Sequence, residues 1–202
     1  MSKVALLIDG HEVSAEEGVT ILQASRDAGI DIPTLCHHED LAPYGGCRLC
    51  TVEVNKGGRT RFVASCVHQV EDGMVVQTES EEVIEGRKLI LELLWARSPG
   101  VQVLREYGQR YGMELDKFAV SPTNCVLCGL CVRYCAEIKK KNAIGFINRG
   151  TEKAVMFYPE IAAKECATCG ECFKLCPTGV LPSNYALQRV PHFEWPVRPF
   201  SR

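Results

Sequence analysis

The first eighty residues alternate short runs of apolar side chains with polar turns. Residues 4–8 form an apolar run, Asp9-Gly10 is a hairpin signal, and residues 12–14 predict a second strand. From Thr20 onward, apolar positions recur at helical intervals, and Gly29 can close this helix in a left-handed conformation. The pattern therefore predicts a two-stranded hairpin covered by a helix.

Further strands follow this opening. One strand is predicted over residues 51–54, a turn over 55–58, and a returning strand that ends near Cys66. A closing strand is predicted over residues 70–78, around the turn signal Asp72-Gly73.

The apolar period changes to that of a helix after residue 80. Ser80 can cap a helix that carries Glu81 and Glu82 in its first turn, where acidic side chains favour the helix dipole. Ser98-Pro99-Gly100 breaks this helix, and residues 101–111 show a second, shorter apolar stripe. These features predict a helical hairpin.

Periodicity weakens in the last third of the chain. Residues 143–147 and 154–157 predict a strand pair joined through Arg149-Gly150. Residues 181–202 contain four prolines and little periodicity. We expect this end to be extended, either lying on another subunit or forming a loose tail.

Eight cysteines between residues 125 and 176 form two runs of one spacing, Cys-x2-Cys-x2-Cys-x3-Cys. This is the bacterial ferredoxin run, in which the fourth cysteine of each run ligates the cluster of the other run. We expect each run to be a loop wrapped around a cluster, and we predict two [4Fe-4S] clusters. The first is assigned to Cys125, Cys128, Cys131 and Cys176, and the second to Cys166, Cys169, Cys172 and Cys135.

Four more cysteines, Cys36, Cys47, Cys50 and Cys66, lie in the strand-rich first part. A [2Fe-2S] cluster needs four thiolates, and the plant-type ferredoxin holds them with a shorter first gap. The glycines before Cys47 allow the backbone to wrap closely around a cluster and aim N–H groups at its sulfurs. We predict a [2Fe-2S] cluster here; the alternative is a zinc site on the same four thiols.

Three histidines lie next to these cysteines. His37 and His38 follow Cys36, which suggests the two-histidine ligation of a Rieske centre. Because four cysteines already complete a ligand set, we interpret both histidines as exposed loop residues. His68 lies just past Cys66 and is expected at most to form a hydrogen bond near the cluster.

Composition limits the partners, the cellular location and the cysteine chemistry that can be expected. The 202 residues are 46% hydrophobic, as is ordinary for a soluble protein. The net charge of -2 argues against nucleic acid or a membrane surface as the main partner. No apolar run reaches the roughly 18 residues of a membrane span, and residues 1–10 lack signal-peptide features, so a cytoplasmic location is expected. Ten of the 12 cysteines lie in tight clusters, which favours metal binding over a disulfide scaffold.

Together these patterns predict an α+β protein of four parts. A [2Fe-2S] ferredoxin-like domain of the β-grasp type covers residues 1–79, and a helical linker covers 80–120. A bacterial-type two-[4Fe-4S] ferredoxin-like domain covers 121–180, and an extended tail covers 181–202.

This order of parts resembles the N-terminal cluster-bearing region of the large iron–sulfur subunit of NADH:quinone oxidoreductase. It also resembles the small iron–sulfur subunit of NAD-reducing [NiFe]-hydrogenase diaphorases, NAD-linked formate dehydrogenases and the region preceding the catalytic domain of [FeFe]-hydrogenases. The resemblance covers nearly the whole chain. It rests on Ile32-Pro33-Thr34-Leu35-Cys36, Gly46-Cys47-Arg48-Leu49-Cys50, Arg87-Lys88-Leu89-Ile90-Leu91-Glu92-Leu93-Leu94, Cys131-Val132-Arg133-Tyr134-Cys135, Ala143-Ile144-Gly145-Phe146 and Cys176-Pro177-Thr178-Gly179.

The helical linker of this chain lacks cluster ligands that the linker of that family usually carries. The family usually carries a further [4Fe-4S] cluster there on His-x3-Cys-x2-Cys-x5-Cys. The corresponding positions hold Ser98, Gln102, Arg105 and Tyr111, and no cysteine occurs between Cys66 and Cys125. We predict that this cluster is absent.

The sequence offers no substrate site of its own. It has no Gly-x-Gly-x-x-Gly turn and no P-loop, so no flavin or NAD is expected on this chain. NADH delivers a two-electron hydride, and a flavin must stand between it and one-electron clusters. The resemblance implies an electron relay between a flavin- and NAD(P)-binding diaphorase subunit and a catalytic subunit, with a hydrogenase as first choice and a formate dehydrogenase as second.

Other functions remain open at this point. An electron-bifurcating version that also exchanges electrons with soluble ferredoxin is compatible with the sequence, as is an NADH:quinone oxidoreductase subunit. A free-standing ferredoxin-like carrier is a different class, a stand-alone hydrogenase or reductase is the enzymatic alternative, and a zinc-stabilised interaction module is the structural one.

Overall fold

A computed structural model describes residues 2–115 and 123–188. The chain divides into two compact units, Met1–Cys128 and Gly129–Arg202. Helices and strands occur together in both, which agrees with the predicted α+β class. No helix within the described ranges combines the length and apolar character needed to cross a membrane.

The first unit is built on a five-stranded mixed sheet with the order β2-β1-β5-β3-β4. The pair β1–β5 is parallel, and the other three pairs are antiparallel. Asp9 and Gly10 both have positive φ (49° and 80°), as a tight hairpin turn requires. The strands are β1 Lys3–Ile8, β2 His11–Glu16, β3 Thr51–Lys56, β4 Arg59–Ala64 and β5 Val75–Gln77.

Helix α1, Ile21–Asp27, covers this sheet as predicted. The Thr20 hydroxyl accepts a hydrogen bond from the backbone N–H of Gln23 and so caps the helix. Gly29 has a φ of 76°, as expected for a glycine that closes a helix. The core between helix and sheet includes Leu6, Ile8, Ile21, Leu22, Val52, Val54, Met74 and Val76.

Two further helices belong to the same unit. Helix α2, Glu81–Arg97, begins at the Ser80 cap, and α3, Gln102–Arg110, follows the predicted break at residues 98–100. They pack together and form a second core with residues of the cysteine-bearing loops. That core contains Leu35, Leu49, Leu91, Trp95, Val101, Leu104 and Val126. The boundaries proposed at 79/80 and 120/121 remain predictions.

The second unit has a two-stranded antiparallel hairpin, β6 Ile144–Ile147 and β7 Ala154–Phe157, where the sequence predicted it. Phe157, Phe173 and Tyr185 pack with ring centroids 5.2–6.3 Å apart. Its helices are α4 Leu130–Arg133, a π-helical turn Tyr134–Ile138, α5 Pro159–Cys169, α6 Glu171–Lys174 and α7 Leu181–Gln188.

Three expectations about local structure were wrong. The closing strand is confined to β5, because residues 71–74 form the turn around Asp72-Gly73. The second cysteine run lies largely on α5 and α6 rather than in a loop, since a spacing of three residues also fits one helical turn. Residues 181–188 form α7 instead of an extended tail, because Leu181 and Tyr185 bury one face of it. Residues 189–202 lie outside the described part.

Candidate metal centre

Four cysteines of the first unit lie at the ends of its regular elements. Cys36 is in the loop after α1, Cys47 and Cys50 are in the turn before β3, and Cys66 follows β4. Cys36, Cys50 and Cys66 are 1–2% exposed, and Cys47 is half-buried. The sheet thus gathers thiols that are up to 30 positions apart in sequence (66 minus 36).

The thiols of this group form two hydrogen-bonded pairs. Cys36 donates to Cys47 and Cys66 donates to Cys50, which lowers the pKa of Cys47 and of Cys50 to about 6. The same bonds raise the pKa of both donor thiols well above its usual range, with burial as the next cause. These hydrogen bonds favour the thiolate form of Cys47 and Cys50, and the thiolate is the form that binds a metal.

Backbone amides are also directed at these sulfurs. The N–H of Cys47 donates to Cys36 Sγ at 3.3 Å, and amides of Gly45, Gly46 and Leu49 bond to Cys66, Cys36 and Cys47. Amides that converge on a point through left-handed turns form the anion-binding concavity found at many iron–sulfur sites. The amides of the glycines before Cys47 are thus directed at cysteine sulfurs, and the donor set fits a four-thiolate cluster; the role of these amides toward a cluster stays a prediction.

One turn residue holds a costly conformation within this concavity. Arg48 has a φ of 63°, and its carbonyl accepts from the backbone N–H and the hydroxyl of Thr51. We expect Arg48→Val to destabilise the turn by about 1–2 kcal/mol relative to Arg48→Asn, since Asn tolerates this backbone region. Both substitutions remove the same charge. The urea concentration at which visible cluster absorption disappears should be lower for Arg48→Val, and equal values for the two variants would contradict this.

A buried arginine of α2 fixes the other side of the same turn. Arg87 is 0% exposed; its Nε donates to the Leu49 carbonyl at 3.2 Å and its Nη2 to the Thr51 carbonyl at 2.9 Å. Its Nη1 donates to the Tyr111 hydroxyl at 3.1 Å. The guanidinium therefore holds the carbonyls on both sides of Cys50.

Helix α3 restrains the segment that leads to Cys36. The Tyr107 hydroxyl donates to the Thr34 carbonyl at 3.2 Å, and the Arg110 guanidinium pairs with Asp31 at 2.6 Å and Glu79 at 3.1 Å. The two helices together hold both loops of the first cysteine group.

The four linker positions that lack the family's ligands have other roles. Ser98 is buried at the end of α2, and Tyr111 accepts from Arg87. Gln102 donates to Glu106 at 2.9 Å, and the Arg105 guanidinium lies 5.8 Å from the centre of the Trp95 ring. The absence of a linker cluster stays a prediction.

The second unit gathers Cys135, Cys166, Cys169 and Cys172 around one cavity. Burial, together with the charges of the neighbouring thiols, raises the pKa of Cys172 to about 12, and the same causes raise the pKa of Cys166. Ionising several neighbouring thiols is unfavourable without cations among them, and the iron ions of a cluster would supply that charge. The N–H of Ala143 donates a hydrogen bond to Cys135 Sγ at 3.2 Å.

Two lysines also line this cavity. Lys141 pairs with Glu165 at 2.6 Å, and Lys139 pairs with Glu171. Each bond raises the pKa of its lysine, so both remain charged near the thiols.

The other predicted ligand set is divided between the two units. Cys125 and Cys128 are half-buried at the end of the first unit, where the Arg97 Nε donates to the Cys125 carbonyl at 3.1 Å. In the second unit, Cys131 is buried on α4, and Cys176 Sγ lies 3.3 Å from the Thr178 hydroxyl. This set stays a prediction.

The histidine interpretation needs one correction. His37 and His38 are half-buried rather than exposed, and His68 is half-buried as well. His38 lies 3.7 Å from the Asp40 carboxylate. Among the described residues, no group of three or more His, Cys, Asp or Glu side chains is arranged to hold a single metal ion.

Sequence reasoning missed the structural roles of Arg87 and Ser65. Arg87 interrupts the buried stripe of α2, whose other members are Val83, Leu91 and Trp95, and a charge in such a stripe is a usable signal. Ser65 is fully buried beside Cys50, and nothing in the sequence marks it.

Comparison with known proteins adds independent support. Residues 1–81 match the family described as "2Fe-2S iron-sulfur cluster binding domain", and residues 124–180 match "4Fe-4S dicluster domain". These matches confirm the two classes of cluster that the cysteine spacing predicted; the number of clusters stays a prediction.

Relatives match over nearly the whole chain. The chain is 32% identical to the 78 kDa subunit of mitochondrial NADH-ubiquinone oxidoreductase from Candida albicans, over 95% of its own length and 30% of the relative. It is also 32% identical to NADP-reducing hydrogenase subunit HndD from Solidesulfovibrio fructosivorans, over 94% of its length and 38% of the relative. The chain thus spans about a third of these relatives.

A solved structure matches over a larger share of its own length than these two relatives do. A chain of an NAD+-reducing [NiFe]-hydrogenase, in the H2-reduced state, aligns with a TM-score of 0.76 and 27% identity, covering 88% of this chain and 86% of that one. The resemblance inferred from the motifs is confirmed. The chain joins a 2Fe-2S cluster binding domain to a 4Fe-4S dicluster domain and is homologous to subunits of NADH:quinone oxidoreductases and NAD(P)-linked hydrogenases.

Proposed function

We propose that this chain is an electron relay that carries single electrons through iron–sulfur clusters between a flavin- and NAD(P)-binding subunit and a catalytic subunit. The observation that carries the proposal is the gathering of four thiols at each of two places, one in each unit, with amides directed at the sulfurs. Such clusters accept and release electrons one at a time, and the protein sets their potentials through hydrogen bonds and burial.

The proposed ligand sets are those predicted from the cysteine spacing. One [2Fe-2S] cluster is held by Cys36, Cys47, Cys50 and Cys66. One [4Fe-4S] cluster is held by Cys166, Cys169, Cys172 and Cys135, which line one cavity. A second is held by Cys125, Cys128, Cys131 and Cys176, and no flavin or NAD is bound by the chain itself.

The catalytic partner is proposed from the similarity to hydrogenases. A subunit of a cytoplasmic NAD(P)-linked hydrogenase is the first choice, because the solved chain that matches over 88% of this chain and 86% of its own length belongs to an NAD+-reducing [NiFe]-hydrogenase. A formate dehydrogenase and an NADH:quinone oxidoreductase are the alternatives, and exchange with soluble ferredoxin would make the assembly electron-bifurcating.

Purification from the native host tests this function. We expect the chain to copurify with a flavoprotein and a catalytic subunit, and NAD(P)H to reduce its clusters, as followed by EPR, only when the flavoprotein is present. The isolated chain should show no hydrogen or NAD(P)H turnover. A monomer that is reduced directly by NAD(P)H would overturn the proposal, and a monomer reduced by soluble ferredoxin alone would favour a free carrier.

A further inference from the structure

Ser65 occupies a fixed position beside the first cysteine group. It lies between the end of β4 and Cys66, and it is 0% exposed. Its N–H donates to the Cys50 carbonyl at 3.1 Å, and its carbonyl accepts from the Leu22 N–H at 3.0 Å. Two backbone bonds therefore hold Ser65 between the turn that carries Cys50 and helix α1.

The hydroxyl of Ser65 lacks a hydrogen-bond partner of ordinary geometry among the described residues. Leaving a buried hydroxyl without a hydrogen bond is unfavourable, so proteins rarely keep one without a reason. The N–H bond to the Cys50 carbonyl and the peptide link to Cys66 place Ser65 between two of the predicted cluster ligands.

A bound cluster would give this hydroxyl the acceptor that it lacks. In the [2Fe-2S] ligand set proposed above, Cys50 is a thiolate, and thiolate and sulfide sulfurs accept hydrogen bonds. An added electron makes those sulfurs more negative, so a donor stabilises the reduced cluster more than the oxidised one.

We propose that the Ser65 hydroxyl donates a hydrogen bond to the sulfur of the [2Fe-2S] centre at Cys50 and raises its reduction potential. Ser65 is then a positioning residue for electron transfer, with no contact to any substrate. This inference rests on the proposed ligand set of the first unit, but it does not depend on which partner subunit delivers the electron.

The chain provides a matched control. Ser25, on α1 of the same unit, is also 0% exposed and also has an unpartnered hydroxyl. Its carbonyl accepts from the backbone N–H of Ile30 at 2.8 Å, so its backbone is held by an apolar residue rather than a cysteine. Ser25→Ala removes the same atom from a comparable environment.

EPR-monitored redox titration of the complete, cluster-bearing chain tests the proposal. We expect Ser65→Ala and Ser65→Gly to shift the [2Fe-2S] midpoint potential to more negative values, Ser65→Thr to restore it, and Ser25→Ala to leave it unchanged. In deuterated buffer, pulsed EPR of the reduced wild type should show a coupled exchangeable deuteron that is lost in Ser65→Ala.

Two outcomes would overturn the inference: a hydroxyl-free variant at position 65 that keeps the wild-type potential, or an equal shift in Ser25→Ala. Iron and sulfide are measured on each preparation. Failure of the proposed [2Fe-2S] ligand set can therefore be distinguished from failure of the role proposed for Ser65. It would appear as a wild-type chain without a [2Fe-2S] signal, whereas a normal signal with an unshifted potential would reject only the role of Ser65.

Discussion

Arg87→Gln should destabilise the first unit by about 3–5 kcal/mol and greatly reduce its [2Fe-2S] content. The substitution removes a fully buried guanidinium that donates to the carbonyls of Leu49 and Thr51 and to the Tyr111 hydroxyl. Those buried acceptors would lose charged donors, and the turn that carries Cys50 would no longer be fastened to α2. The measurement is the urea concentration at which visible cluster absorption is lost, with iron and sulfide analysis of the purified chain.

The control is Arg105→Gln on the neighbouring helix, where the arginine is exposed and lies over the Trp95 ring. Loss of such a contact costs about 0.5–1 kcal/mol, so this variant should keep its cluster. Arg87→Lys should fall between the two, since an ammonium keeps the charge but cannot reach three separate acceptors in the fork geometry of arginine. If Arg87→Gln behaved like Arg105→Gln, the fastening role of Arg87 would be wrong.

Elements with strong local signals were predictable from the sequence. The hairpin at Asp9-Gly10, the capped starts of α1 and α2, and the break after Arg97 depend on residues within one turn of each boundary. Helix α7 gave no such signal, because eight residues with a proline at the second position show too little periodicity; its stability comes from burying Leu181 and Tyr185.

The candidate site was predictable at the level of its cysteines and not at the level of their surroundings. Spacing predicted three groups of thiols, because all ligands of a cluster must reach the same cluster. The structure brings together the thiols of two of these groups, the one in the first unit and the one around Cys135, and the third stays a prediction. The supports of those thiols come from distant segments. Arg87 lies 37 positions after Cys50, and Ser65 lies 15 positions after it, so only the folded sheet and helices bring them beside the Cys50 turn.

Double substitutions should show whether the two four-iron clusters are held crosswise. The cavity already brings Cys135 together with three cysteines of the second run, which supports the crossed assignment. If it holds, Cys135 and Cys166 serve one cluster, and Cys135→Ala with Cys166→Ala should lower the iron content from about ten to about six atoms per chain. Cys131→Ala with Cys135→Ala removes a ligand from each cluster and should leave about two.

The uncrossed assignment predicts the reverse, because Cys131 and Cys135 would then share a cluster, whereas Cys135 and Cys166 would not. Iron and labile-sulfide analysis distinguishes the two cases without any partner subunit. Cys36→Ala is the control from the other unit: it should remove only about two irons and leave both four-iron EPR signals. Equal losses in the two double variants would contradict both assignments, since each requires one pair to share a cluster and the other pair to be divided. If the crossed assignment holds, each run depends on the other for the fourth thiolate of its cluster. Neither cluster of the dicluster domain could then assemble completely from one run alone.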